Sequence, residues 1–276
     1  MTSGVLLFAY NNSHIDYAKH AIFCAKNVKN FLNLPVSVVT DSKNYIQRQY
    51  AQHTDVFDSI IEDKTSTEQI KKFYNGKQYK KLTWNNHSRP NAYDLTPYEK
   101  TLVMDTDYIV SNNSLLNCFD DDRIKITKDF IDLCSERDDK TLLRVSDYSI
   151  PMLWATVFYF SKASKSSKIL FDLIKHIQEN WNFYRLQYQI VGKNYRNDFA
   201  FSIALHIMSN PQVDLPGTHY YTTDRDKLYN GNGNSFQFFL ENQTACGIHN
   251  QNIHMMNKFD LNEHIDKVMQ WVKDSV

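Results

Sequence analysis

Residues 100–110 read KTLVMDTDYIV, and the fold is read outward from them. Residues 101–105 form a short buried strand in this reading, because Leu102, Val103 and Met104 make the continuous apolar run of a strand covered on both faces. Asp105 and Asp107 follow where the run ends. At i and i+2 they share one side of an extended chain, so a slight turn lets both carboxylates reach one cation. Hard divalent ions take oxygen ligands, leave positions for substrate phosphates and are commonly held by one or two carboxylates. In α/β sheets such ligands gather at strand ends. A solvated Asp-x-Asp is the plain alternative for so short a motif.

The preceding chain supplies the frame. Residues 4–10, GVLLFAY, read as a buried strand, and 11–13 as its turn. Ile15, Ala18, Ile22, Ala25, Val28 and Leu32 then recur at three- and four-residue steps, giving a helix that Pro35 stops. Residues 36–40, VSVVT, are the next strand, so the order is βαβ and a ligand is expected beyond the carboxyl ends of two parallel strands. Ala9, Tyr10, Asn11, Thr40 and Asp41 stand there. Asp41 serves equally as the cap of a helix over 43–50. No G-x-G-x-x-G follows the first strand, which disfavours a dinucleotide enzyme.

Residues 56–61 read as a weaker third strand. Between 62 and 86, Lys71, Lys72, Lys77, Lys80 and Lys81 alternate with Phe73, Tyr74, Tyr79 and Trp84; this reads as a solvated insert, and also as a footprint suited to a phosphodiester or a stacked base. Ser111 caps a short helix over 112–119, and 120–139 is charged without a pattern. Residues 152–160, MLWATVFYF, are another buried strand, followed by amphipathic helices over 164–181, 199–208 and 261–272. Asp198 opens the second of these as an N-terminal acid.

Composition sets bounds. A chain of 276 residues can bury a large α/β core. Its 31 basic and 31 acidic side chains leave no global field to steer it to nucleic acid. The four cysteines form no CxxC pair, which argues against structural zinc and for free thiols in a reducing compartment. No apolar run reaches 18 residues and no signal peptide precedes the first strand, so a cytoplasmic protein without a membrane partner is expected.

The segment TLVMDTDYIV resembles the metal-binding segment of nucleotide-sugar glycosyltransferases with the GT-A fold, and the framework from 4 to 258 looks most like their glycogenin-type, retaining branch. That resemblance implies a single α/β, Rossmann-like domain over 1–276, with a mixed, mostly parallel sheet flanked by helices. Residues 1–110 would form the nucleotide-sugar half, and 111–276 the acceptor half with a C-terminal helix. The implied cofactor is Mn2+ or Mg2+ on Asp105 and Asp107, with Thr106 beside the donor, and the implied donor is a nucleoside-diphosphate sugar, a UDP-sugar foremost. A late histidine completes the metal shell in the family; His254 fits that place and His249 rivals it.

By the same resemblance Lys258 neutralises the diphosphate, although H-M-M-N-K departs from the family's H-x-x-G-x-x-K. Arg89 points to the donor; Ala9, Tyr10, Asn11 and Asp41 contact the nucleoside; Asp198 lies beside the transferred sugar. Trp154, Ala155 and Thr156 stand where the family usually has Asn-Gly-Gly-like residues. The acceptor is open: glycan, protein, lipid-linked or a hydroxylated DNA base. The sequence leaves the stereochemical outcome open as well, because no second carboxylate has an assignable base role. Paired aspartates at a strand end also suit a metal-dependent nucleotidyltransferase, and a non-catalytic carbohydrate- or nucleic-acid-binding protein is the third reading.

Overall fold

The structure is a computed structural model that describes residues 2–64, 68–74, 77–85, 87–134, 143–147, 149–209 and 214–273. Its first part runs β1 (Ser3–Phe8), α1 (Tyr17–Leu32), β2 (Val36–Thr40), α2 (Lys43–Gln49), β3 (Ser59–Glu62), β4 (Glu68–Tyr74), β5 (Tyr79–Asn85), α3 (Ala92–Leu95) and β6 (Lys100–Met104). Next come β7 (Tyr108–Ile109), β8 (Lys125–Thr127), β9 (Ile131–Asp132), β10 (Trp154–Ser161), α4 (Lys165–Glu179), α5 (Trp181–Gln187) and α6 (Asn197–Ile207). The chain closes with β11 (His219–Tyr221), β12 (Lys227–Asn232), β13 (Ser235–Phe239), β14 (Ala245–His249), β15 (Asn252–His254) and α7 (Lys258–Lys273).

The central sheet has the order β3-β2-β1-β6-β10-β8. β3, β2, β1 and β6 are parallel, and β10 and β8 join antiparallel. This is the mixed, mostly parallel α/β sheet expected from the sequence. Its inner strands are mostly apolar because alternate side chains face two covered sides, with Ser37, Thr101 and Thr156 among the few buried polar positions. Leu6, Val39, Val103 and Phe158 pack against Phe171, Ile174 and Phe201 of α4 and α6. Val5, Leu7, Leu102 and Met104 pack against Ala18, Ile22 and Ala25 of α1. The strand order turns back at β1, so the carboxyl ends of β1 and β6 form the crevice where such sheets bind ligands.

Several elements depart from the sequence reading. The weak strand expected over 56–61 begins at Ser59, because Ala51–Val56 closes as a 3-10 helix. The short helix after the Asp-x-Asp segment is also 3-10, over Ser114–Asp120, with Asn113 rather than Ser111 at its cap. The charged stretch 120–139 contributes β8 and β9, and 135–139 lie outside the described residues. The supposed insert is a β-hairpin, β4–β5. Its inner side chains Phe73, Leu82 and Trp84 pack on Ile15, Tyr17 and Phe259.

A second, four-stranded sheet, β7-β15-β11-β9, and a meander, β12-β13-β14, have no counterpart in the sequence reading. The meander's Leu228, Phe236 and Phe238 share a core with Leu261 and Ile265 of α7, which fixes that helix. All four cysteines are free. Among the described residues no helix is long and apolar enough to cross a membrane.

Gly4 pairs with Thr101 across β1 and β6, directly under the ring of Tyr98. A Cβ at Gly4 would stand 2.5 Å from that ring, and the Tyr98 hydroxyl is held at 2.8 Å from Ser37 Oγ, so the ring has little freedom to withdraw. Gly4→Ala should therefore lower unfolding free energy by about 1–3 kcal/mol in urea titrations with an unchanged m-value. An unchanged midpoint would show that the ring moves freely.

Candidate active site

β6 ends at Met104, and the chain turns at once. The Asp105 amide donates to Thr156 O at 2.8 Å, which anchors the turn to β10, while the Tyr108 amide donates back to Asp105 O at 3.1 Å. Asp105 and Asp107 consequently point into the crevice. His254 arrives from the second sheet, where β15 pairs antiparallel with β7, setting His254 opposite Tyr108. The Met255 amide donates to Asp107 O at 2.9 Å and locks that register.

One ligand atom from each of Asp105, Asp107 and His254 lies within 4.8 Å of the others. His254 Nε2 stands 3.5 Å from Asp107 Oδ2 and 3.9 Å from Asp105 Oδ2. His249, the rival histidine, lies exposed on β14 with Ser235 Oγ 2.6 Å from its Nδ1. It takes no part in the cluster.

Two cations flank the acids. Arg89, in a 3-10 turn before α3, donates from Nη2 to Asp105 Oδ1 and from Nη1 to Ala155 O at 2.8 Å. Lys258, the first residue of α7, donates to Asp107 Oδ2. Asp107 is 3% exposed. Burial alone would raise its pKa, but Lys258 and then His254 hold its carboxyl well below the usual range.

Asp198 stands in the first turn of α6. Its Oδ1 accepts the Ala155 amide at 2.9 Å and its Oδ2 accepts Arg196 Nη2 at 2.7 Å. Burial pushes its pKa up, yet Arg196, the Ala155 amide and Arg89 together more than offset this and leave the carboxyl below its ordinary value.

The cavity between these groups has a volume of about 120 Å³. Of the residues singled out in the sequence, it brings together Tyr10, Arg89, Asp105, Thr106, Asp107, Asp198, His254 and Lys258. Ala9, Asn11, Thr40 and Asp41 do not line it. Ala9 is wholly buried, and Asn11 Oδ1 accepts the Ala18 amide at 2.9 Å, bracing the start of α1. Tyr10 donates its hydroxyl to Asp63 Oδ2 at 3.0 Å. Lys71 and Trp84 of the hairpin, with Phe8, Tyr17, Trp154, Thr156 and Arg196, also line the cavity. Only the lysine-aromatic alternation of 71–84 signals the hairpin's part; nothing local marks Tyr17.

Three carboxylates, Asp105, Asp107 and Asp198, and four cations, Lys71, Arg89, Arg196 and Lys258, line the cavity, a formal excess of one positive charge. Two carboxylates and an imidazole are a fitting donor set for a divalent ion such as Mn2+. With the ion added, the cleft calls for an anionic ligand.

No protein-family model matches the chain, and no curated protein matches it. Among solved structures it is similar to the glycosyltransferase GlyE of Streptococcus pneumoniae TIGR4, 14% identical over 78% of this chain and 45% of that one, with a TM-score of 0.41. This chain thus spans less than half of GlyE. The galactosyltransferase LgtC, solved with donor and acceptor sugar analogues, is 15% identical over 80% of this chain and 74% of that one, TM-score 0.43. The bifunctional IspDF from Campylobacter jejuni is 13% identical over 79% and 50%, TM-score 0.40. At these TM-scores the likenesses decide nothing about activity.

Behind the acids, His20 of α1 is fully buried, and among the described residues neither ring nitrogen has a hydrogen-bond partner. Burial pushes its pKa down to about 4, against a smaller upward pull from Asp107. A group held below its unfolded value of about 6.5 adds stability above that pH and loses it as pH falls toward 4. Wild-type protein should therefore lose about 2–3 kcal/mol more unfolding free energy than His20→Leu between pH 7 and pH 4.5. Urea unfolding at the two pH values reads the difference; identical losses would mean that His20 is not held neutral.

Proposed function

We propose that the protein is a metal-dependent glycosyltransferase that moves a sugar from a nucleoside-diphosphate sugar to a hydroxyl acceptor. The observation that carries this reading is the convergence of Asp105, Asp107 and His254 with Arg89 and Lys258 at the carboxyl end of β6. A divalent ion on the three ligands, when bound, supplies charge stabilisation to the departing diphosphate. Arg89 and Lys258 now neutralise the ligand carboxylates and are placed to turn to phosphate oxygens instead. The bond from the anomeric carbon to the diphosphate oxygen breaks, a bond to the acceptor oxygen forms, and the acceptor's proton leaves to the diphosphate or to water.

Asp198, held by Arg196 and the Ala155 amide, suits orientation of the sugar or the acceptor. Phe8 and Tyr10 offer rings at the end of β1 for a base, a UDP-sugar being the expected donor. In this reading residues 1–110 supply Tyr10, Arg89 and the two metal-binding acids, whereas 111–276 supply Asp198, His254 and Lys258. The cleft therefore needs both halves.

Incubation with a panel of nucleotide sugars and manganese should release free nucleoside diphosphate, and chelation should stop it. Asp107→Asn should lower the rate roughly 10²–10³-fold, as loss of one charge-stabilising group does elsewhere. Release of inorganic pyrophosphate from nucleoside triphosphates would instead indicate nucleotidyl transfer. No product from any donor, with sugar or nucleotide binding unchanged in Asp107→Asn, would leave a binding protein.

A further inference from the structure

We infer that the outer face of the β4–β5 hairpin binds single-stranded nucleic acid and presents it, as acceptor, to a second cavity beside the metal cleft. The acceptor role rests on the glycosyltransferase reading; the binding surface stands without it.

In the hairpin register Lys72 lies directly opposite Lys81, and Tyr74 opposite Tyr79. Residues two apart share a face, so all four project from the side away from Phe73 and Leu82. Both lysines are exposed, and like charges placed directly opposite destabilise a strand pair. Among the described residues no carboxylate pairs with either. Formal neutrality of the whole chain makes this local excess a feature of the hairpin rather than of general basicity.

The aromatic pair completes the pattern. The Tyr74 and Tyr79 rings lie 5.2 Å apart, and Tyr79 is 48% exposed although its hairpin has an apolar inner face available. Arg225, itself paired with Glu241, stands with its guanidinium 6.0 Å from the Tyr74 ring centre. Cations that track phosphates, alternating with rings that stack on unpaired bases, are what a flexible single strand requires.

The second cavity, of about 240 Å³, lies where the hairpin strand β4 meets the core. Lys71, Lys72, Phe73 and Tyr74 line it from the hairpin, inner and outer rows alike, Trp154 and Tyr221 from the core, and it shares Lys71, Trp154, Met256 and Lys258 with the metal cleft. One carboxylate, Asp224, lines it among three lysines. A base bearing a hydroxyl, drawn off the strand into this cavity, would lie among Phe73, Tyr74, Trp154 and Tyr221, and its hydroxyl oxygen would take the sugar while the hydroxyl proton leaves to the diphosphate or to water. Flat rings and a small pocket favour a strand of bases over a membrane surface.

The test is fluorescence anisotropy of a labelled single-stranded oligodeoxynucleotide of mixed sequence, titrated with protein at several salt concentrations. Inorganic polyphosphate and phosphatidylserine vesicles are the competitors. Wild-type binding should weaken with salt, and the Lys72→Ala/Lys81→Ala variant should lower the log–log salt slope by about 1–1.5. Tyr79→Ala should lose about tenfold in affinity with the slope unchanged. Circular dichroism confirms that each variant is folded.

Absence of oligonucleotide binding overturns the inference, as does equal displacement by polyphosphate with Tyr79→Ala neutral, or preference for vesicles. Wild-type donor turnover is read separately. Release of nucleoside diphosphate without oligonucleotide binding sinks the surface alone; binding without release from any donor sinks the transferase reading and leaves the surface.

Discussion

A carboxylate taken out of water must be compensated where it lies, and Asp107 is that carboxylate here. Removing a charged group from water costs several kcal/mol unless an opposite charge and hydrogen bonds meet it. Lys258, 151 residues further on, and His254 meet Asp107; Arg89 does the same for its half-buried neighbour Asp105. The two acids therefore tie the end of β6 to α7, to β15 and to the turn before α3. The constraint makes a single site from segments that begin far apart in sequence.

The sheet decides where that knot can form. β1, β2 and β6 run parallel, so their carboxyl ends share one edge, and β10 runs the other way, bringing its first residues to the same edge. Trp154 and Thr156 thereby stand next to Asp105, with Ala155 O holding Arg89 and the Ala155 amide holding Asp198. Three hydrogen-bonded groups of one strand end, the Ala155 amide, Ala155 O and Thr156 O, thus position three charged side chains or their backbone. The small second sheet adds His254, and the meander under α7 keeps Lys258 in place.

The long apolar runs make the central sheet legible. GVLLFAY, VSVVT, KTLVM and the 152–160 segment each read as strands because burial on both faces leaves few polar side chains to obscure them. Asp105 and Asp107 are legible from residue type and from their place at the end of an apolar strand, whereas His254 and Lys258 are singled out only by the family resemblance. Strands of two or three residues, such as β7, β11 and β15, carry no periodicity, so nothing local shows how His254 reaches the acids. The hairpin reads as a solvated insert because its inner row mixes Lys71 and Lys80 with Phe73, Leu82 and Trp84. Asn11 and Asp41 sit at strand ends where a ligand is expected, but Asn11 spends its side chain on the start of α1 and Asp41 does not line the cavity.

The metal centre is the claim on which the chemistry turns. Electron paramagnetic resonance of the protein with Mn2+ and a nucleoside diphosphate tests it directly. The expected spectrum is of bound manganese with hyperfine coupling to one imidazole nitrogen and to phosphorus, the nitrogen coupling vanishing in His254→Ala. A spectrum of fully hydrated manganese, or a bound ion that persists unchanged in Asp105→Asn/Asp107→Asn, would contradict it.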